Sequence, residues 1–229
     1  MSDQEQGGSG APDLPSVDRL LGLTDGVVAI AITLIVFQLK VPEHLSHPDS
    51  PSELARALGQ LGTEVVAYLV AFYVIAQFWL AHHRVFRLMR GHHEGLAWIN
   101  FLFLLTITAM PFTSDLLGAY GGNPVAIDVF NANLLAASIA TSLVVVFGHW
   151  RHLMIPGDLR SQIVPGFQRT AALAVVVIAS SIVAWWSTSI AKDLWFLLLL
   201  VGVIAGRSSR KKEAGGPAAG ASAPIGPGA

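Results

Sequence analysis

Long apolar runs separated by basic turns are the feature that most constrains the fold of this chain. Of its 229 residues, 53% are hydrophobic and only 13% are charged, whereas soluble domains carry about a quarter charged residues. A helix needs roughly 20 mostly apolar residues to cross a hydrocarbon core of about 30 Å. The sequence therefore predicts an all-α integral membrane protein.

Six segments have the apolarity of membrane helices. Their predicted ranges are 20–41, 61–81, 96–117, 125–149, 171–190 and 194–205, the last being short. The second begins either at about Leu61 or earlier, near Ser52, where Ser and Glu follow Pro51 as they do at a helix start. Pro111 is expected to kink the third helix. One six-helix domain then accounts for residues 17–206.

The distribution of positive charge predicts the orientation of these spans. With the N-terminus inside, eleven of the fourteen Lys and Arg residues fall on the cytoplasmic side, and only Lys40, Arg56 and Lys192 fall outside. Cytoplasmic loops keep such an excess of Lys and Arg. Both termini are therefore expected in the cytoplasm. Residues 1–16, and residues 207–229 with their basic start and Gly/Ala/Pro-rich end, are expected to be disordered tails, because they have little to bury.

Composition and motifs argue against several classes of function. The chain has no cysteine, which removes disulfides and thiolate chemistry. It has no His-Glu-x-x-His or Gly-x-Ser-x-Gly motif and no carboxylate pair placed for acid–base work within a span, so we do not expect an enzyme. A net charge of −1 gives no indication of a nucleic acid partner.

Paired histidines flank a basic turn after the second span, at His82-His83 and His92-His93. Imidazole is a common metal ligand. Neighbouring side chains on a helix point about 100° apart, however, so such a pair does not readily face one ion. We expect neither a metal nor any other cofactor.

The first span begins with polar side chains. Thr24 and Asp25 follow Arg19 by little more than one turn, and a carboxylate that enters lipid must face protein partners. A simpler alternative is that Thr24 and Asp25 only cap the helix N-terminus, where a negative charge meets the positive end of the dipole.

Further along the same span, four residues recur at i, i+3, i+4 and i+7 and so share one helix face. They are Ile30, Thr33, Leu34 and Phe37. Periodicity alone assigns such a face either to packing between helices or to contact with lipid.

The segment Arg19–Gly26, Arg-Leu-Leu-Gly-Leu-Thr-Asp-Gly, resembles the Arg-x-x-x-Phe-Ser-Asp signature of the transmembrane protein 175 family, the lysosomal potassium channels and their bacterial relatives. Leu23 and Thr24 stand where the signature has Phe and Ser. Further similarity lies at 78–86, 98–100 and 110–113. The bacterial branch, with a single six-span unit, fits this chain best.

The resemblance implies a homotetramer in a bacterial plasma membrane, with the first helices around a pore for potassium and other monovalent cations. Ile30 would form the narrowest apolar ring, and Thr33 a hydroxyl ring connected with potassium preference. Leu34 and Phe37 would form further rings toward the outside. Narrow apolar rings block ions by dewetting. A smaller aliphatic residue is expected at Phe37, so four phenyl rings would either plug the passage or swing aside.

The resemblance also implies a network of signature residues that acts in gating. Its members are Arg19, Thr24, Asp25, Gly26, Trp79, His83 and Asn100. In this network His83, with Trp79 one turn before it, would hydrogen-bond to the start of the first helix, and Asn100 would join from the third. The alternative for the histidines is basic anchoring at the membrane interface.

Two alternatives remain open at this point. A proton-coupled or other secondary transporter would use Asp25 as a protonatable site, although such proteins typically break the helix around a midplane carboxylate. Asp128, Asn131 and Asn133 near the start of the fourth span are either pore or vestibule groups or, more simply, helix caps or groups at the outer interface.

Overall fold

Helices form every element that the structure describes. The computed structural model describes residues 17–43, 45–47, 49–91, 93–155 and 159–195. In chain order the helices are α1 (Val17–Leu34) with a 3₁₀ continuation (Ile35–Gln38), α2 (Pro51–Gln60), α3 (Gly62–Phe86), α4 (Glu94–Tyr120), α5 (Pro124–Trp150) and α6 (Leu159–Ala184). A further helical stretch covers 188–195. The two predicted tails and most of the predicted sixth span lie outside the described residues.

Four of the described helices are long and apolar enough to cross a membrane. They are Val17–Gln38, Glu64–Phe86, Glu94–Tyr120 and Pro124–Trp150, and they correspond to the first four predicted spans. A shorter apolar helix, Thr170–Ala184, forms the second half of α6. The chain is therefore a multi-pass membrane protein, while the count of six spans remains a prediction.

Of the two predicted starts of the second span, the one near Leu61 is confirmed and the earlier one near Ser52 is wrong. A helix does begin at Pro51, but α2 ends at Gln60 and α3 starts separately at Gly62. No residue of α2 is buried. The break is understandable because Gly59 and Gly62 flank the junction, and glycine disfavours a continuous helix.

The predicted end of the fifth span is also wrong. The helix stops at Ala184 instead of continuing to Ile190. A new helix follows at once, and the Ser187 hydroxyl accepts a hydrogen bond from the Ile190 backbone N–H over 3.4 Å. Serine at this position is a favoured N-cap, so the polar Ser-Thr-Ser sequence starts the next helix rather than extending α6.

Helix α4 lies between α1, α3 and α5, and α5 packs in turn on α6. Its buried side chains Phe103, Ile107 and Met110 are inaccessible to solvent. They meet buried residues of the neighbouring helices, including Ile75 and Leu134. Because lipid tails are as apolar as these side chains, close packing and interhelical hydrogen bonds hold such a bundle together.

The α3–α4 and α5–α6 connections pair with each other at one end of the bundle. The Arg90 N–H donates to the Leu153 carbonyl over 2.7 Å, and the Ile155 N–H donates to the Leu88 carbonyl over 2.7 Å. Arg19 lies at this same end, near the start of α1, so we call it the Arg19 end. The opposite end, where the 3₁₀ segment finishes, is the Gln38 end.

Candidate pore face and polar network of the first helix

Helix α1 and its 3₁₀ continuation have one buried and one exposed face. The buried row recurs at spacings of three and four and consists of Leu20, Thr24, Val28, Ala31, Ile35 and Gln38. The exposed row lies opposite and contains Leu23, Ile30, Thr33, Leu34 and Phe37. Of these, Ile30 is 60% exposed, Leu34 45% and Phe37 76%. Among the described residues, none covers this mostly apolar helix face.

All four residues predicted to line a pore lie on this exposed row. The 3₁₀ segment brings Phe37 over Leu34, because side chains at i and i+3 eclipse each other in that geometry. The Thr33 hydroxyl donates to the Ile30 carbonyl over 2.8 Å. Its oxygen keeps acceptor capacity toward the exposed side.

Asn100 joins three helices at the Arg19 end. Its amide Nδ2 donates to the Thr24 hydroxyl over 3.0 Å, and that hydroxyl in turn lies 2.9 Å from the Leu20 carbonyl. The amide oxygen of Asn100 lies 2.7 Å from Nε2 of His82. Since an amide oxygen only accepts, this contact requires a hydrogen on Nε2 of His82. Thr24, Asn100 and His82 are all fully or almost fully buried.

The predicted network contains His83, but the structure brings His82 to Asn100. The His82 ring stacks between Phe86, at 4.2 Å between centroids, and Phe103, at 4.5 Å. The His83 ring lies 5.6 Å from that of Trp79, and its Nδ1 is buried without a hydrogen bond to any described group. Because successive helical residues point about 100° apart, only one of the two histidines faces α4.

Asp25 is held by the indole of Trp79. The Trp79 Nε1–H donates to Oδ1 of Asp25 over 2.7 Å, which is a short, charge-assisted bond when the carboxylate is ionised. The structure thus brings together two members of the predicted network, Asp25 and Trp79, with Trp79 as the donor where His83 was expected.

The capping alternative for Thr24 and Asp25 is wrong, because α1 already begins at Val17, two turns earlier. Arg19 lies exposed in the first turn. Gly26 lies on the exposed side, and a Cβ added there would meet nothing within 4 Å. The protomer alone therefore gives no steric reason for glycine at this position.

A second polar contact fastens the other end of the first helix. Nε2 of Gln38 donates to the Pro111 carbonyl over 2.9 Å, and the Ser114 hydroxyl donates to Oε1 of Gln38 over 2.8 Å. Ser114 is fully buried and Gln38 is 9% exposed. The buried row of α1 thus carries a hydrogen-bonded anchor at each end.

Two polar residues of α5 form hydrogen bonds to neighbouring helices. Nδ2 of Asn131 donates to the Ser181 hydroxyl over 3.0 Å, and Oδ1 of Asn131 accepts from the Trp195 indole over 3.2 Å. Nδ2 of Asn133 donates to the Thr106 carbonyl on α4 over 3.1 Å. The helix-cap alternative is therefore wrong for both asparagines, since α5 begins at Pro124.

Asp128 accepts a hydrogen bond from the exposed Trp185 indole over 3.0 Å. Within the described part of the chain, no three His, Cys, Asp or Glu side chains are grouped to hold a metal.

Comparison with known proteins identifies the family. A family model described as the endosomal/lysosomal potassium channel TMEM175 matches residues 19–111. A potassium channel of Chamaesiphon minutus is 34% identical over 157 residues, which cover 66% of this chain and 73% of that protein. The chain belongs to the TMEM175 family. Its early signature, Arg19–Gly26, lies at the start of the matched region.

Other TMEM175 relatives are bacterial and animal proteins. A potassium channel of Streptomyces collinus is 33% identical over 145 residues, which cover 62% of this chain and 66% of that protein. The human endosomal/lysosomal proton channel TMEM175 is 26% identical over 144 residues, 62% of this chain but only 28% of that protein. The matched stretch therefore spans about two thirds of the first of these relatives and about a quarter of the second.

A solved structure supports the TMEM175 fold. The crystal structure of a lysosomal potassium-selective channel TMEM175 homolog from Chamaesiphon minutus aligns with a TM-score of 0.69 at 25% sequence identity. The alignment covers 82% of this chain and 97% of that one. The helical bundle of the present chain is thus that of a TMEM175 protein.

The sequence prediction did not include His82 or Gln38 among the polar contacts of the first helix. The sequence nevertheless carries a signal for each of them. His82 continues the buried row of α3 formed by Ala71, Ile75, Phe78 and Phe86 at spacings of three and four, and His83 does not. Gln38 likewise continues the buried row of α1 after Ile35. In both cases the position of a polar residue within an apolar row indicates that it faces protein.

Proposed function

We propose that four copies of the chain form a potassium-permeable cation channel, with a pore lined by the exposed row of α1. Each subunit crosses the membrane six times and keeps both termini in the cytoplasm. Potassium and other monovalent cations are the permeant species, lipid surrounds the assembly, and the location is a bacterial plasma membrane.

The exposed row is the observation that carries the proposal. Helix α1 packs against α3 and α4 through its buried face, yet Ile30 and Phe37 on the opposite face are 60% and 76% exposed. One helix cannot enclose a passage, so the pore requires several copies. The Thr33 hydroxyl supplies a polar ring between apolar ones, where it replaces part of the water that an ion loses.

Membership of the TMEM175 family supports the choice of a pore over a lipid-facing surface. The bacterial relatives from Streptomyces collinus and Chamaesiphon minutus are named potassium channels. The continuity of α1 disfavours the transporter alternative, because the helix runs unbroken from Val17 to Leu34 past Asp25. Carriers of that kind typically unwind the helix at the binding site.

The test is potassium flux driven by a membrane potential, with the purified full-length chain in potassium-loaded liposomes. We expect Ile30→Asn to raise the flux, because a polar ring removes the barrier of a dewetted constriction. We expect Thr33→Ala to reduce the preference for potassium over sodium. Ile182→Asn is a matched control, since Ile182 on α6 is 55% exposed.

Flux and selectivity that stay unchanged in both Ile30→Asn and Thr33→Ala would exclude a pore along α1. The subunit number is an independent criterion. A protein that conducts as a stable monomer in a nanodisc would contradict the tetramer.

A further inference from the structure

We infer that Gln38 is a positioning residue for the pore, which clamps the end of the first helix onto α4 and sets the direction in which Leu34 and Phe37 point. The inference rests on the proposed function of the exposed row.

The clamp uses both polar atoms of one buried side chain. The Gln38 amide donates to the Pro111 carbonyl over 2.9 Å and accepts from the Ser114 hydroxyl over 2.8 Å. Pro111 and Ser114 are three residues apart and therefore neighbours on one face of α4. A single amide reaches both because donor and acceptor diverge from one carbon. Two bonds in opposite senses fix the rotation of the side chain as well as its distance.

The partner segment of α4 is itself held in place. Pro111 lacks an N–H and leaves a gap in the hydrogen-bond ladder of its helix. Nδ2 of Asn133 on α5 donates to the Thr106 carbonyl over 3.1 Å and lies 3.4 Å from the Thr113 hydroxyl. The segment of α4 around Pro111 is thus hydrogen-bonded to Asn133 of α5 and to Gln38. These bonds hold the segment in position.

Because of the geometry of the 3₁₀ segment, the hydrogen bonds of Gln38 also determine the direction in which the exposed row points. Residues i and i+3 eclipse in a 3₁₀ helix, so Gln38 lies in line with the fully buried Ile35 while Phe37 lies in line with Leu34. Between the anchors at Thr24 and Gln38, the buried row contains only apolar side chains. Hydrogen bonds depend more strongly on direction than apolar contacts do, so the two polar anchors contribute most to the rotation of the row.

Loss of the two Gln38 hydrogen bonds should therefore change which residue faces the axis of the proposed pore. Phe37 is 76% exposed and its neighbour Val36 is 46% exposed. A relaxed end of the helix would turn away from its present rotation and would present Val36 more often. The effect is a change of direction at the Gln38 end, and the opposite end near Thr24 should keep its structure.

The absence of cysteine in the chain allows a direct test. Single variants Phe37→Cys and Val36→Cys of the full-length chain are reconstituted in liposomes. The probe is a positively charged, membrane-impermeant methanethiosulfonate reagent. The measured quantity is the rate at which the reagent blocks potassium flux, compared between the two positions.

With the clamp intact, we expect rapid block at Phe37→Cys and slow block at Val36→Cys. In the Gln38→Met background the ratio of the two rates should fall roughly fivefold or more, as expected for a typical coupling between two sites. Ser114→Ala should act in the same direction, and Ser114→Thr, which keeps the hydroxyl, should preserve the ratio. Gln60→Met is the matched control, because Gln60 lies exposed at the end of α2.

A ratio that is unchanged in both Gln38→Met and Ser114→Ala overturns the clamp while leaving the pore intact. If Gln38→Met does not fold, Ser114→Ala decides, because it removes only one hydroxyl. Reaction at Phe37→Cys that never alters flux, in any background, instead refutes the proposed pore.

Discussion

Asn100 on α4 donates its amide hydrogen to the hydroxyl of Thr24 on α1 over 3.0 Å. The same amide meets His82 of α3 through its oxygen, so one buried side chain fixes the spacing of three helices. The bond holds the face of α1 that lies opposite the exposed row. A substitution at Asn100 should therefore alter the position of the exposed row although Asn100 does not contact that row.

The first prediction concerns this amide. Asn100→Leu leaves the His82 Nε2–H without its acceptor in a buried site, which costs about 1–3 kcal/mol. We expect a lower thermal midpoint and a lower potassium flux. A change of about 1.4 kcal/mol in the equilibrium between conducting and non-conducting states alters it roughly tenfold. Liposome flux per folded protein is the measurement.

Asn131→Leu is the control for that prediction, because Asn131 is equally buried and also links helices. It lies on α5, away from α1, and should lower the thermal midpoint while leaving flux per folded protein near the wild-type value. Equal losses of flux in both variants would mean that Asn100 has only a general structural role.

The second prediction concerns the bond between Trp79 and Asp25. Trp79→Phe keeps the aromatic ring but removes the N–H that donates to the carboxylate over 2.7 Å. Hydrogen bonds to charged groups contribute about 1.5–3 kcal/mol, and interhelical bonds in membranes average less. We expect a loss of about 1–2 kcal/mol in stability, on the scale of these two values.

A double-mutant cycle with Asp25→Asn tests whether the pair acts as a unit. Residues in direct contact couple by about 0.5–3 kcal/mol, so the double variant should lose less stability than the sum of the single changes. Thermal unfolding of all four proteins in the same detergent measures this coupling. Strict additivity would show that the contact contributes nothing specific.

The features of this fold that could be predicted are those that a short stretch of sequence determines by itself. Length and apolarity of a segment are local, so the first four spans were recovered from sequence. The start of the second span near Leu61 was also recovered, because glycines flank that junction. The end of α6 at Ala184 was not, because it depends on the Ser187 cap, which competes with strong helical patterns on either side.

The site was predictable to the same degree. The spacing of Ile30, Thr33, Leu34 and Phe37 correctly placed them on one helix face, and the structure leaves that face exposed. The choice between His82 and His83 depends on the rotation of α3 about its axis, which the histidine pair alone does not reveal and only the apolar row of that helix indicates. The row of α1 indicates that Gln38 faces protein, but it does not specify that the partners are Pro111 and Ser114 of α4.

The third prediction concerns Phe37 on the exposed row. Its side chain is 76% exposed in the protomer, so truncation removes little packing within one subunit. Four phenyl rings directed at a shared axis would narrow the passage and exclude water. We expect Phe37→Ala to raise potassium flux several-fold, because a wider apolar ring stays wet more of the time. Surface substitutions of this kind usually change stability by less than about 0.5 kcal/mol.

Val36→Ala separates this effect from a general loosening of the 3₁₀ segment. Val36 is 46% exposed and adjoins Phe37, but it does not lie in line with Leu34. Truncation of Val36 should leave the potassium flux within error of the wild-type value, because this side chain does not narrow the proposed pore. An increase of equal size in both variants would assign the effect to flexibility of the segment. A fall in flux in Phe37→Ala alone would mean that the four rings support the open pore, because their removal would then collapse it.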